Sequence, residues 1–203
     1  LKCFHYNKTM PEIPDKQYSL NDAVRELGRL KKGERLKLTG LHGSSKSLLV
    51  ASAFKRLGRP VFAIAAGEES AEEFTEDLRF FLPESSVLFY PSPEVLPFEP
   101  QPAHQEILSS RMEVLFNLLS GAPKVCVASA ATLMQRVMPR DLLSKRIIVL
   151  KEGEEVQRDG LVQNLQELGY LRMSLVEERG EMSIRGGILD IFPPMYAAPL
   201  RIE

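Results

Sequence analysis

Gly40-Leu41-His42-Gly43-Ser44-Ser45-Lys46-Ser47 follows an apolar run and opens a helical pattern. It fits the phosphate-loop pattern G-x-x-x-x-G-K-[ST] at every specified position except the second glycine, which is Ser45. In a working loop the backbone wraps the phosphates so closely that a side chain there crowds them, and glycine's freedom makes the wrap. Lys46 can still meet a phosphate, Ser47 can still touch Mg²⁺, and the helix start still offers free N–H groups. The stretch therefore reads as the corner of a nucleotide-binding fold whose nucleotide site has decayed. A live site also needs a Mg²⁺-organising acid at the end of a second strand. No apolar run ends in such an acid, and Asp190 is followed by Ile191-Phe192, which continue its strand.

Around the loop the pattern alternates. Ser19 and Asp22 form a capping pair ahead of a helix with Leu20, Val24, Leu27 and Leu30 on one face. Strands are expected at 35–41, 60–66, 86–90 and 124–129, with helices at 46–57, 70–82 (capped by Ser70) and about 104–119. Strands alternating with helices of this length predict a parallel sheet covered on both faces. The link 91–102 holds five prolines and reads as an ordered surface loop. A second unit is expected from Lys145, opening on a buried strand, Ile147-Ile148-Val149-Leu150. It continues with a helix at 161–168 stopped by Gly169, strands around an Arg179-Gly180 turn, and a strand at 200–202. The expected organisation is an irregular arm over 1–18, an α/β domain over 19–144, and a small mixed α/β domain over 145–203.

Composition narrows the function. The chain has 203 residues, 44% hydrophobic and 26% charged, with net charge −1, which argues against a broad cationic surface for nucleic acid while leaving room for local basic patches. Cys126 lies in an apolar strand as a small hydrophobe, and neither the two cysteines nor the three histidines have a metal-ligand spacing. A reducing compartment is expected, and no stretch approaches the ~18 apolar residues of a membrane helix. The chain begins with Leu1 and stops within a strand-like Leu200-Arg201-Ile202-Glu203, so it is expected to be a piece of a longer protein. The carboxylates of 68–77 open a helix and read as a solvated face.

In Arg185-Gly186-Gly187-Ile188-Leu189-Asp190-Ile191-Phe192-Pro193-Pro194, paired glycines inside a strand pattern predict a bulge, which leaves the face of Arg185 open. Arg201 is clearer: with Leu200 and Ile202 turned inward, it points outward. On spacing alone both are ordinary surface charges.

These stretches, with Glu94 to Pro100, Pro102 to Ile107, Ala131 to Arg136, Leu168-Gly169-Tyr170 and Pro199 to Glu203, resemble the N-terminal region of bacterial transcription-repair coupling factors. That region is similar to the excision-repair protein UvrB. The resemblance covers the chain from about residue 19 and implies a degenerate RecA-like parallel-sheet domain, then a small α/β domain that docks on UvrA. It carries the UvrA contacts to Arg185 and Arg201, and implies an inactive loop at Gly40, Ser45, Lys46 and Ser47. UvrB has a further arginine where this chain has Ser183, and the link before His104 is too short for UvrB's damage-clamping hairpin. The resemblance also implies no catalytic residue, metal or cofactor in this chain, with ATP and Mg²⁺ confined to a separate C-terminal motor. Its implied partners are UvrA, the remaining domains of the parent and, through the parent, RNA polymerase and DNA in the bacterial cytoplasm. The residues alone leave two rivals: an active nucleotide-binding loop using Lys46 and Ser47, and a DNA-binding element, for which there is no basic stripe or stacking platform.

Overall fold

Helix α1 shows how literally the local signals are obeyed. The computed structural model describes residues 2–6, 18–93 and 105–203. Ser19 caps α1 (Leu20–Arg29): its Oγ accepts the Asp22 N–H at 3.2 Å, while the Asp22 carboxylate accepts the Ser19 N–H at 3.3 Å. These two bonds satisfy donors that a helix start leaves without intrahelical partners.

The chain divides into two compact units, residues 1–90 with 121–133, and residues 91–120 with 134–203. In the first unit, β1 (Lys2–Tyr6) runs antiparallel to β2 (Arg35–Thr39), Lys2 opposite Thr39 and Tyr6 opposite Arg35. Part of the expected irregular arm is therefore a strand, and residues 1 and 7–17 of that segment lie outside the described residues. The strand before the phosphate-loop motif pairs only with β1 among the described residues and stands apart from the parallel sheet. Helix α2 (Ser45–Leu57) follows, then β3 (Val61–Ala65) and α3 (Glu68–Phe81). Helix α3 starts two residues ahead of Ser70, whose Oγ accepts the Gly67 N–H at 3.1 Å from inside the first turn. A short 3₁₀ turn leads into β4 (Val87–Tyr90).

The first unit closes with β5 (Val125–Ser129) and α5 (Ala130–Leu133). The parallel sheet has the order β3-β5-β4, so β5 is central and buried along its whole length. Burial pushes the Cys126 thiol up to about 12, so it is inert packing, as its apolar setting predicts. Alternate residues Val61, Ala63 and Ala65 of β3 turn to a core built with Ala51, Ala71, Leu78, Leu82, Val125 and Val127. Helices α2 and α3 both feed that face. On β3 the other face is open, with Phe62 48% and Ile64 63% exposed, so the expected cover on both faces fails at this edge strand. A second cluster joins Ala23 and Val24 of α1 to Leu49 and Ala53 of α2.

The second unit contains α4 (Gln105–Leu119), whose preceding proline-rich link lies mostly outside the described residues. Helix α6 (Arg140–Lys145) follows. The run Ile147 to Leu150, expected as a buried strand, is irregular, with Ile148, Val149 and Leu150 exposed. Its apolar composition predicted burial, but among the described residues it has no strand to pair with. Then come α7 (Arg158–Glu167), β6 (Leu171–Arg172), β7 (Glu181–Arg185), β8 (Ile188–Ile191) and β9 (Leu200–Ile202), in the sheet order β6-β7-β8-β9. The sheet is mixed: β6 lies parallel to β7, and the remaining pairs are antiparallel.

Candidate protein interface

One face of the second sheet is core. Met182, Leu189 and Ile191 pack with Leu161 and Leu165 of α7, and Ile184, Leu200 and Ile202 flank them. The period of two in a strand then commits the intervening residues Ser183, Arg185, Asp190 and Arg201 to the opposite face.

The glycine pair is a two-residue hairpin turn rather than a bulge. Arg185 pairs with Ile188, so Gly186-Gly187 alone connect the strands, and Gly186 takes φ 61° while Gly187 is not left-handed. That sign pattern fits a type II′ hairpin, whose twist suits the flanking strands. With no extra residue inserted, the face of Arg185 follows from alternation. Arg158 at the start of α7 holds the turn from outside, donating Nη1–H to the Gly186 carbonyl at 2.6 Å.

Asp190 ties the face together. Register places it opposite Arg201 on β9 and opposite Ser183 on β7, two residues from the partner of Arg185. Arg201 donates Nε–H to Oδ1 at 2.7 Å and Nη2–H to Oδ2 at 3.0 Å, a fork that matches the carboxylate's two oxygens. Arg185 donates Nη2–H to the same Oδ2 at 3.1 Å. The carboxylate side chain is 11% exposed, while the arginines are 55% and 56% exposed. The Arg201 hydrogen bond, with the positive charge of both arginines, holds the Asp190 carboxyl below its ordinary range, and the same bond raises Arg201. Leu175, Val176, Pro199 and Leu200 join these three in lining one shallow cleft.

The segment over this face is also fixed by named contacts. Ser183 donates its hydroxyl to the Ser174 carbonyl at 3.0 Å and is buried, so this position serves the fold rather than the surface. The Glu181 carboxylate accepts the N–H groups of Glu178 and Glu177 at 2.9 and 2.8 Å, which lower its pKa. Gly180 turns the chain at φ 87°.

The phosphate-loop residues form a different arrangement in the first unit. Gly40 and Gly43 take φ 80° and 51°, and Ser45 donates both its N–H and its hydroxyl to the His42 carbonyl, at 3.2 and 2.7 Å. The loop thus closes on itself through the residue standing where the motif has glycine. Lys46 is exposed, but Ser47 is fully buried and donates its hydroxyl to Asp77 Oδ2 of α3 at 3.2 Å. At the carboxyl end of β5, where open α/β sheets usually take ligands, Ser129 and Thr132 hydrogen-bond each other at 2.8 Å. Thr132 also donates to Glu68 at 3.2 Å. Gly40, Ser45, Lys46 and Ser47 therefore share one strand-loop-helix corner without their side chains converging. Among the described residues no group of His, Cys, Asp and Glu is placed to hold a metal.

Sequence reasoning named both arginines and missed Asp190 and Arg158. The signal for Asp190 is cross-strand: an acid opposite an arginine in an antiparallel pair. It becomes legible only once the register is known.

Residues 148–203, the stretch that holds the mixed sheet and its two arginines, match the UvrB interaction domain family model. More particularly, the chain is homologous to a segment of the transcription-repair-coupling factors. It is 33% identical to that of Bacillus subtilis over 166 residues, 82% of this chain and 14% of the relative. It is 33% identical to that of Escherichia coli over 174 residues (86% and 15%) and 36% identical to that of Mycobacterium bovis over 173 residues (82% and 14%). The chain thus spans only about one-seventh of the length of these relatives, and the sequence resemblance to this family holds over most of the chain.

Proposed function

We propose that the chain is a non-catalytic, UvrB-like adaptor that recruits UvrA to RNA polymerase stalled at DNA damage, in transcription-coupled excision repair in the bacterial cytoplasm. The observation that carries this reading is the exposed pair Arg185 and Arg201, held side by side by Asp190 within the stretch matching the UvrB interaction domain. Arginine is enriched at interface hot spots because its planar fork reads carboxylates bidentately and its stem covers apolar surface. The remaining domains of the longer protein supply the ATP-driven motor and the contacts to polymerase and DNA. This chain needs neither nucleotide nor metal for its part. No described helix is long and apolar enough to cross a membrane.

The rival, an active nucleotide site, is disfavoured by the commitment of the Ser47 hydroxyl to Asp77 and of Ser45 to its own loop. Nucleotide binding by the wild type that is lost in Lys46→Ala would revive it.

The test is calorimetric titration of the chain into purified UvrA, wild type beside Arg185→Ala/Arg201→Ala. Wild-type binding that falls at least about tenfold in the double variant is expected of a hot-spot pair. Equal binding by the two proteins removes the arginines from the site. No binding by a folded wild type removes the adaptor role of this stretch.

A further inference from the structure

We propose that Asp190 is a positioning residue of this surface, ordering Arg185 and Arg201 to receive a protein carboxylate flanked by an apolar side chain; this rests on the UvrA-recruitment reading above. Two guanidinium groups brought to the same face from β7 and β9, the strands on either side of β8, repel each other where they approach, and each is free to sample many rotamers. The nearly buried Asp190 removes both problems at once. Its Oδ1 is held by Arg201, and its Oδ2 is shared by Arg201 and Arg185, so the Arg201 plane is fixed by two bonds and Arg185 is tethered to the same anchor by one. Each guanidinium has five N–H donors and only three hydrogen bonds in all go to Asp190, so most donors remain available. Arg185 gives Asp190 only one of its two Nη2 hydrogens, so one of its forks, Nη2 with Nε or Nη2 with Nη1, stays complete for a carboxylate.

The surroundings select the class of partner. Three charged side chains of the cleft sum to one positive charge, and Glu203 lies close enough to act on Arg201. Such a surface cannot gather the positive charge by which proteins hold a phosphate backbone. Leu175, 54% exposed, with Val176, Pro199 and Leu200, lines the same cleft. The complementary group is a single acid with an apolar neighbour on a folded protein surface. Asp190 lowers the net positive charge in exchange for order, and that exchange can be measured.

Association and dissociation rates with UvrA are compared for wild type, Asp190→Asn, Asp190→Glu and the double arginine variant, each first shown to be folded by circular dichroism. Asp190→Asn removes the negative charge and leaves one acceptor oxygen where the carboxylate offers two, so the shared anchor of the two arginines is lost. The expected result is dissociation about tenfold faster, as for loss of an interface anchor, with association unchanged or faster at low salt. Asp190→Glu recovers part of the loss, because a carboxylate again reaches both guanidinium groups. Tighter binding by Asp190→Asn would show that Asp190 only neutralises charge and would overturn the proposal. The wild type gives an independent measurement: the Arg201 Nε–H should be slow to exchange with solvent and rigid by NMR, and a mobile, fast-exchanging signal also overturns it. If the wild type fails to bind UvrA, the recruitment reading falls while the NMR signal still decides the ordering by Asp190. Wild-type retention on duplex DNA that the double arginine variant loses would overturn the assigned class of partner.

Discussion

At Asp190, the same contacts that order the surface make it sensitive to acid. Its carboxyl is held below the ordinary range first by the Arg201 hydrogen bond and then by the charges of Arg201 and Arg185. A group whose folded pKa is depressed contributes stability that is fully present above the unfolded pKa and is lost as pH falls through the folded value. Wild type should therefore be more stable than Asp190→Asn at pH 7, and the gap should shrink below about pH 4, the ordinary carboxylate range. Glu181, lowered by the backbone N–H groups of Glu178 and Glu177, responds in the same direction and leaves the variant some acid sensitivity. Urea midpoints at pH 7 and pH 3 measure the gap; a gap of equal size at both would show that the charge on Asp190 does not stabilise the fold. The outward position of Arg201 was legible because its neighbours Leu200 and Ile202 are aliphatic and turn inward. Asp190 was not, because Leu189, Asp190 and Ile191 are all buried and the strand shows no exposed face against which to read an acid.

Among the elements, the β7–β8 hairpin controls the candidate surface, and Gly186 controls the hairpin. A Cβ added at Gly186 meets no atom within 4 Å, so any cost comes from the backbone at φ 61° rather than from collision. Gly186→Ala should destabilise the chain by about 1–2 kcal/mol, the typical penalty for a side chain in the left-handed region. It should also weaken UvrA binding by shifting Arg185 relative to Asp190. Thermal and urea unfolding measure the first effect and titration the second; an unchanged unfolding midpoint would mean that the turn relaxes at no cost. The paired glycines were read as a bulge because sequence alone cannot say whether Ile188 continues β7 or answers it from a second strand. The α/β alternation from 61 to 129 was legible, since long periodic helices separate short β-branched runs. Ile147 to Leu150 misled for the opposite reason: four aliphatic residues make a strand only where a partner strand is at hand. The position of β2 was equally hidden, because its sequence is compatible with a parallel neighbour and with the antiparallel β1 it actually has.

For the whole molecule the question is whether the first unit has any share in binding. Its core contains Ala51, Ala71, Leu78, Leu82, Val87, Val125 and Val127, whereas the core beneath the arginines contains Leu161, Leu165, Met182, Leu189 and Ile191. The two clusters have no residue in common. Leu78 is fully buried, so Leu78→Ala removes packed volume that rigid neighbours refill only in part, a loss of about 2–5 kcal/mol. Sites without shared partners contribute additively to within about 0.5 kcal/mol. The variant should therefore melt earlier, yet bind UvrA with nearly wild-type affinity at a temperature where it is still folded. Calorimetry on the folded variant beside its own unfolding curve measures both. A large fall in affinity would bring the first unit into the interface. Retained affinity would leave that unit as a carrier, with recruitment resting on one face of a four-stranded sheet.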